Sequence, residues 1–305
     1  MSKTRHFKSL LDINRIEFLR IIDRAIELKN EAAQGVINNS LSNKTMAMIF
    51  SKNSTRTRVA FETAMNTMGG HAVYLSSDSS QISRGEEISD TAKVLSGMVD
   101  IIMIRTHNHE EVEELASNST VPVINGLTEK FHPCQLLADM QTYYEEKGSI
   151  EGKKVAWVGD GCNMCNSYIN ASKILNFHLK IATPSGFEPD KKTLDLAGDN
   201  VELCDLPGKA VEDCDLVTTD VWTSMGDESE AEKRKNIFKG YQINKHLFEK
   251  SKPDSIFLHC LPAHRGEEVE SDVIDGARSK VWSQAHNRLY TSKALIEFLM
   301  TELKP

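Results

Sequence analysis

The sequence predicts an α/β protein with two domains, each a parallel sheet with helices on both faces, joined by interdomain helices. Two observations predict this class: short apolar segments alternate with amphipathic segments in both halves, and residues 148–154 interrupt the alternation. Parallel strands need crossover connections, which are usually helices, so this alternation favours parallel sheets. The 305 residues suffice for two cores of ordinary size. We expect one domain over 1–147, completed by a helix at 286–305, and another over 148–285.

Each half contains several predicted strands. In the first half they are 45–50, 71–75, 101–104 and 121–124, with helices at 56–68, 88–98, 110–116 and 133–147. In the second half they are 155–158, 178–182, 216–219, 255–258 and a further strand near 280–282, before a last helix at 293–303. The mixed charges of residues 227–239 are typical of a solvated helix or a flexible loop. Ligands of open parallel sheets bind beyond the carboxyl ends of the strands, so the residues after each strand are the candidates.

Composition and charge exclude several classes of protein. With 40% hydrophobic and 26% charged residues, the chain is typical of a globular protein rather than a disordered one. No apolar run approaches the roughly 20 residues that span a bilayer. The net charge of -8 disfavours a broad nucleic-acid-binding face but allows a local basic pocket. Six scattered cysteines and an amphipathic pattern that begins near the N-terminus predict a cytoplasmic protein with free thiols and no metal site.

The segment 54–58, Ser-Thr-Arg-Thr-Arg, follows the strand 45–50 and begins a helix. Backbone N–H groups and the helix dipole favour an anion at such a position. The hydroxyl groups add donors, and the guanidinium of Arg56 matches the geometry of phosphate oxygens. A serine cap with solvated arginines is the alternative interpretation. Arg105 ends the strand 101–104 at the same sheet edge, where it can add a second positive charge.

His132 and Gln135 lie at the start of the helix predicted at 133–147. Pro133 suits the first helical position, which leaves His132 near the cap and places Gln135 on the first turn. Both side chains can then face the ligand edge and offer an imidazole and a primary amide. A single histidine at a helix start is usually structural, and the nearby arginines favour the functional interpretation.

Gly159-Asp160-Gly161 follows a strand and suggests a dinucleotide-binding turn. The sixth position of that fingerprint is Met164, and no acidic residue ends the next strand near Thr183. A nicotinamide-dependent oxidoreductase is therefore disfavoured. Asn163 begins the following helix, where it can bond a small polar ligand or act as a cap.

Reactive side chains also follow two further predicted strands. Asp220 follows the strand 216–219, and its carboxylate suits an ammonium group or occupies a turn. The loop Ser224-Met225-Gly226 comes next. His259-Cys260-Leu261-Pro262 follows the strand 255–258, and Pro262 restricts Leu261 so that backbone carbonyls there can face a ligand. Cys260 can also be a buried apolar filler.

Four ordered segments resemble the aspartate/ornithine carbamoyltransferase family: 54–58, Phe-His-Pro-Cys-Gln at 131–135, Asp-Val-Trp-Thr-Ser-Met-Gly at 220–226, and His-Cys-Leu-Pro at 259–262. The last two segments, and the cysteine in His-Pro-Cys-Gln, are similar to the members that act on ornithine. The resemblance implies transfer of the carbamoyl group from carbamoyl phosphate to the side-chain amine of L-ornithine, which gives L-citrulline and phosphate. Both arginine biosynthesis and arginine breakdown stay open as the direction of the reaction. It also implies a homotrimer that needs no metal or organic cofactor.

The resemblance implies roles for individual residues, motif by motif. The phosphate contacts are Ser54, Thr55, Arg56, Thr57 and Arg105, with Gln81 from a Gln-x-x-Arg-Gly-Glu stretch. The contacts to the carbamoyl group are His132, Gln135, Arg288 and the backbone of Cys260 and Leu261. The ornithine contacts are Asn163, Asp220, Ser224 and Met225, and the catalytic candidates are Arg105, His132, Asp220 and Cys260. One departure is Cys162, which stands where the family often has a second asparagine.

The chemistry limits what these side chains can do. The attacking amine must be neutral, whereas alkyl ammonium groups have a pKa of about 10.4. A nearby carboxylate stabilises the ammonium form, so we expect Asp220 to position the substrate more than to deprotonate it. Thr57, Arg105 and His132 can stabilise the oxyanion that forms on the carbonyl oxygen. Two alternatives stay open: a carbamoyltransferase for putrescine, N-acetylornithine or aspartate, and a non-enzymatic phosphate-sensing or assembly protein.

Overall fold

The computed structural model describes residues 4–76, 85–223 and 230–300. The chain separates into two compact units, one formed by Met1–Gln141 with His286–Pro305 and the other by Thr142–Ala285. The first limit between the units lies inside a helix, ahead of the segment 148–154 at which we expected the boundary. Which ligand each unit binds stays a prediction.

The first unit contains a parallel sheet. Its elements are α1 (Arg15–Ala33), β1 (Thr45–Phe50), α2 (Thr55–Thr67), β2 (His71–Ser76), α3 (Ile88–Ser96), β3 (Ile101–Arg105), α4 (His109–Asn118), β4 (Val123–Leu127) and the start of α5 (Pro133–Lys147). The strand order is β2-β1-β3-β4, and every neighbouring pair is parallel. The central strands β1 and β3 are almost continuously buried, as both of their faces are covered.

Local sequence explains where the helices of this unit begin. Asn14 caps α1 by accepting a hydrogen bond from the backbone of Glu17, whose side chain accepts one from Asn14 in return. Ser54 caps α2 in the same position. The chain leaves β1 toward β2 on one side and returns to β3 on the other. The sheet therefore has its topological switch point between β1 and β3.

The second unit contains a second parallel sheet. Its elements are β5 (Lys154–Val158), α6 (Asn163–Leu175), β6 (His178–Ala182), α7 (Lys191–Ala197), β7 (Val201–Cys204), α8 (Pro207–Val211), β8 (Leu216–Thr219), α9 (Ala231–Phe238), α10 (Lys245–Phe248), β9 (Ile256–His259), α11 (Ser271–Ile274) and the start of α12 (Val281–Met300). The strand order is β7-β6-β5-β8-β9, again parallel throughout. The switch point lies between β5 and β8. Buried side chains of β5, β8 and β9 pack with α8, α10 and α11 in one apolar core.

The parallel α/β class predicted from the sequence is confirmed, with three local corrections. The strand expected near 280–282 is wrong: Ser279 forms only an isolated bridge with Phe257, and α12 begins at Val281. The last helix therefore starts well before residue 293. Strand β7 was not expected, because Glu202 and Leu203 in this edge strand are exposed and give no apolar run.

In the charged stretch 227–239, the described residues 230–239 are only partly exposed. Residues 224–229 lie outside the described ranges, and α9 follows them. Arg234 is 8% exposed and Phe238 is fully buried, so the expectation of a solvated helix is wrong on this face. Within the ranges that the structure describes, no helix combines the length and apolar character needed to cross a membrane.

Candidate active site

A first cluster of candidate site residues, within the first unit, lies at the switch point between β1 and β3. The loop after β1 enters α2, whose cap is Ser54, with Thr55 and Arg56 exposed in the first turn. Ser54 Oγ accepts a hydrogen bond from the backbone N–H of Thr57 at 3.3 Å. Arg105 is the last residue of β3 and is only 4% exposed. The structure therefore brings the two predicted cationic segments together at one sheet edge.

Two guanidinium groups converge on the hydroxyl of Thr57. Arg105 donates to its Oγ1 at 3.4 Å and Arg288 donates to it at 3.1 Å. Thr57 is 1% exposed, so both bonds form away from bulk solvent. Because like charges repel more strongly in a buried setting, this arrangement concentrates positive potential where an anion can neutralise it.

Arg288 also links this cluster to the helix α5. Nη2 of Arg288 bonds Thr57, and its Nη1 donates to Gln135 Oε1 at 2.6 Å. The amide nitrogen of Gln135 in turn donates to Oδ1 of the buried Asp139 at 2.9 Å. These bonds fix which end of the Gln135 amide is the acceptor, which orients both Gln135 and Arg288.

His132 lies beside the same cations. It is buried, and burial followed by the charges of Arg288, Arg105 and Arg56 holds its pKa well below the usual value for histidine. The imidazole is therefore neutral at physiological pH. A neutral imidazole can donate one hydrogen bond to a carbonyl oxygen without adding a further charge to the cluster.

A second cluster of candidate site residues, within the second unit, lies at the carboxyl ends of β5, β8 and β9. Asp220 follows β8, and its Oδ1 accepts hydrogen bonds from the thiol of Cys260 at 3.0 Å and the backbone N–H of Val221 at 2.8 Å. Burial raises the pKa of Asp220, and His259 and Cys260 oppose that effect. The carboxylate is therefore held by donors in a buried setting, which suits it to receive an ammonium group.

The glycines of Gly159-Asp160-Gly161 have a structural explanation. A Cβ atom on Gly161 would lie 2.3 Å from the backbone nitrogen of Pro189, so no larger residue fits there. Asp160 accepts a hydrogen bond from the buried Arg234, whose guanidinium also lies over the rings of Phe187 and Phe238. No sequence pattern indicates a buried role for Arg234, since its neighbours are mostly charged. This turn is thus an internal packing element and Asn163, the first residue of α6, lies directly after it.

Sequence reasoning assigned no role to Glu268 or to the ring of His259. Nδ1 of His259 accepts from the backbone N–H of Leu261 at 2.9 Å, so Nε2 carries the proton and donates to Glu268 Oε1 at 3.1 Å. Both side chains are fully buried. Leu261 has a φ of 57°, a left-handed conformation that leucine rarely adopts. The pair of His259 and Glu268 thus holds the strained backbone beside Cys260.

The donor atoms of Asp220, His259 and Cys260 lie within 4.8 Å of one another, which is compatible with a metal ion. Both ring nitrogens of His259 are, however, engaged with Leu261 and Glu268. A metal would have to displace one of those bonds. The hydrogen-bond network is therefore the better description of this cluster.

The predicted site residues fall into three groups. In the first unit the structure brings together Thr57, Arg105, His132, Gln135 and Arg288, with Ser54, Thr55 and Arg56 at the adjoining helix start. In the second unit Asn163, Asp220, Cys260 and Leu261 follow three strand ends of one sheet. Gln81, Ser224 and Met225 lie outside the described residues.

Two family models match the chain. Residues 5–145 match the carbamoyl-P binding domain of the aspartate/ornithine carbamoyltransferase family. Residues 151–299 match the Asp/Orn binding domain of the same family.

Similar proteins match over nearly the full length. An ornithine carbamoyltransferase of Hydrogenovibrio crunogenus is 53% identical over 298 residues, which is 98% of this chain and 99% of that protein. An anabolic ornithine carbamoyltransferase of Pseudomonas savastanoi pv. phaseolicola is 50% identical over 97% of both chains. The solved ornithine carbamoyltransferase of Pyrococcus furiosus has 49% identity and a TM-score of 0.94 over 98% of both chains.

Proposed function

The chain belongs to the aspartate/ornithine carbamoyltransferase family, and from this premise we propose that it transfers the carbamoyl group of carbamoyl phosphate to the side-chain amine of L-ornithine. The products are L-citrulline and phosphate. The first unit binds carbamoyl phosphate, and the second unit binds ornithine. The observation that carries the proposal is the convergence of Arg105 and Arg288 on Thr57, beside a neutral His132.

Carbamoyl phosphate matches this cluster in charge and in shape. Its phosphate takes the backbone N–H groups at the start of α2 together with Arg56 and Arg105, since a helix N-terminus and guanidinium groups both favour phosphate oxygens. Its carbamoyl amide has a partner in Gln135. Its carbonyl oxygen has donors in His132, Arg105 and Thr57. Ser54, Thr55 and Gln81 complete the phosphate contacts by motif match.

The same donors stabilise the reaction's charge. The neutral amine nitrogen attacks the carbonyl carbon, negative charge develops on the carbonyl oxygen, and the bond from carbon to the phosphate oxygen then breaks. The bonding electron pair leaves with the phosphate, and the attacking nitrogen gives up one proton to that phosphate. Donors that are already in place need no reorganisation as this charge develops, and each such donor typically lowers the barrier by about 2.7–4 kcal/mol. The phosphate leaves as an anion that the arginines already neutralise.

Ornithine binding falls to the second unit. Asp220 and Cys260 receive the side-chain amine, and Asn163, with Ser224 and Met225, receives the amino-acid end of the substrate. Because the Asp220 carboxylate stabilises an ammonium group, it positions the amine and does not act as the base that deprotonates it. His259 and Glu268 hold Leu261 and Cys260 in place, so they are positioning residues.

The names of the similar proteins support ornithine as the acceptor, ahead of putrescine, N-acetylornithine or aspartate. A citrulline-release assay with carbamoyl phosphate and each amine in turn tests the proposal. We expect turnover with L-ornithine that exceeds turnover with each other amine. Faster turnover with another amine overturns the choice of acceptor, and no product with any of them overturns the enzyme assignment.

We further propose that the protein is a cytoplasmic homotrimer that works in arginine biosynthesis. The anabolic name of one relative supports the biosynthetic direction, and six reduced cysteines are typical of a reducing compartment. Exposed apolar side chains on the first unit support self-association: Val59, Val73, Val94 and Met98. Light scattering on the purified protein should give three times the chain mass of 34.2 kDa.

A further inference from the structure

The two oxygens of the Asp220 carboxylate have different surroundings. Oδ1 accepts from Cys260 at 3.0 Å and from the N–H of Val221 at 2.8 Å. Oδ2 faces the thiol of Cys162 at 3.9 Å, within the reach of a long sulfur hydrogen bond. Asp220 thus lies between two thiols from different segments of the second unit, one before α6 and one after β9.

Cys162 occupies a position at which cysteine is not expected. It is the N-cap of α6, where serine, threonine, aspartate and asparagine predominate because their side chains bond the first turn. Its side chain makes no capping hydrogen bond. Its sulfur instead points across to Asp220. The backbone N–H groups of Met164 and Cys165 also lie beside this sulfur, which leaves the thiol proton as the group that can bond the Asp220 carboxylate.

The charge state of Cys162 agrees with a donor role. Burial, followed by the carboxylates of Asp220 and Asp160, raises its pKa well above the usual value for cysteine. The sulfur therefore keeps its proton at physiological pH and can donate it. A thiolate in the same place would repel Asp220.

We propose that Cys162 is a positioning residue for ornithine: its thiol orients the Asp220 carboxylate by bonding Oδ2 while Cys260 and Val221 hold Oδ1. This inference rests on the proposed function and deepens it. A thiol is a weak donor, so it orients Oδ2 without neutralising it. Oδ2 keeps most of its capacity to accept a hydrogen bond from the substrate's ammonium group.

Substituting the thiol tests this role through Asp220 itself. We would label the aspartates with carbon-13, assign the Asp220 carboxyl by its loss in Asp220→Asn, and follow its titration by NMR without substrate. Cys162→Ala removes a donor and should raise the pKa of Asp220, whereas Cys162→Asn supplies a stronger donor and should lower it. The other groups that face Asp220 are His259, Glu268 and Cys260, and they are unchanged in both variants.

Cys165→Ala is the matched control, because Cys165 is a buried thiol on the first turn of the same helix. It should leave the Asp220 titration as in the wild type. If Cys162→Ala and Cys162→Asn move the titration no more than Cys165→Ala does, or move it in the same direction, the proposal is wrong. This outcome does not depend on turnover, so it is separate from failure of the proposed function.

Kinetics of the same variants add a second test. Cys162→Ala should raise the KM for ornithine roughly 2- to 10-fold, as expected for losing one modest hydrogen bond. The KM for carbamoyl phosphate should stay as in the wild type, because that substrate is assigned to the other unit. Equal changes in both KM values would indicate a general structural defect and would contradict the positioning role.

Discussion

Arg288 donates a hydrogen bond to the hydroxyl of Thr57, although 231 positions separate the two residues in the chain. Arg105 donates to the same oxygen. Thr57 therefore acts as the point at which a helix N-terminus, a strand end and the C-terminal helix meet. Its hydroxyl keeps two buried guanidinium groups in fixed positions.

We expect Thr57→Val to weaken carbamoyl phosphate binding with the fold intact. The substitution keeps the shape of the side chain but removes its hydroxyl. That hydroxyl is the acceptor that orients both arginines, and it is also one of the donors to the substrate. Hydrogen bonds to charged groups contribute about 1.5–3 kcal/mol each, so we expect affinity to fall roughly 10- to 150-fold. Calorimetric titration with carbamoyl phosphate measures this change.

Thr67→Val is the control for that substitution, because Thr67 is exposed at the far end of the same helix. It should bind carbamoyl phosphate as the wild type does. Wild-type affinity in Thr57→Val would show that the hydroxyl plays no part in the anion site.

Asp220→Asn should abolish most citrulline formation without affecting carbamoyl phosphate binding. The amide keeps the size of the side chain but lacks the charge that holds the ammonium form of ornithine. Removing one partner of a buried charge pair typically costs about 2–5 kcal/mol, so we expect a loss in kcat/KM for ornithine of roughly 30-fold or more. Asp213→Asn, which changes an exposed aspartate in the same unit, should retain wild-type turnover.

The fold was largely predictable from the sequence because buried parallel strands give continuous apolar runs. Strands β6 and β8 begin and end where the sequence predicts, and their apolar residues, such as Leu179 and Ile181 in β6, are buried. Strand β7 gave no such run, as it lies at the sheet edge. The start of α12 was missed because Val281 and Trp282 are residues typical of strands.

The site was predictable only where its residues cluster in short motifs. Arg105 and His132 follow directly from strand ends and helix starts. The bond between Arg288 and Thr57 depends on how distant segments pack, and no spacing in the sequence encodes it. Glu268 stands beside Glu267 in a pair that is typical of a solvated surface, and only the structure shows its buried contact with His259.

Glu268→Ala should destabilise the protein strongly. It removes the acceptor of the His259 ring and of the backbone N–H of His264, and it leaves both donors unsatisfied. Each buried donor left unsatisfied in this way costs about 1–3 kcal/mol. The free energy of unfolding in urea measures the effect.

Glu267→Ala is the matched control, since this neighbouring residue forms an ion pair with the half-exposed Lys235. Exposed pairs contribute about 0–1 kcal/mol, so the free energy of unfolding should change by no more than that. Equal losses in the two variants would contradict the structural role assigned to Glu268.

Stability should fall as the pH drops below about 6.5, the usual pKa of histidine in an unfolded chain. The folded protein holds the pKa of His132 well below that value, and burial also lowers the pKa of His109. The unfolded chain then binds more protons than the folded one, so acid favours unfolding. Above about pH 6.5 both imidazoles are neutral in the folded and the unfolded chain, so they no longer make the stability depend on pH.

His132→Asn should reduce the slope of the free energy of unfolding against pH between about 4.5 and 6.5. The control is His178→Asn, which changes an exposed histidine and should leave the slope as in the wild type. Carboxyl groups with lowered pKa values, such as Asp100 and Glu297, act below that window. An unchanged slope in His132→Asn would mean that the imidazole is not held neutral in the fold.

A crystal structure with carbamoyl phosphate tests the central claim most directly. We expect the phosphate at the N-terminus of α2, with its oxygens within hydrogen-bond distance of Arg56 and Arg105, and the carbonyl oxygen near His132. Carbamoyl phosphate bound elsewhere, with these guanidinium groups directed away from it, would contradict the account.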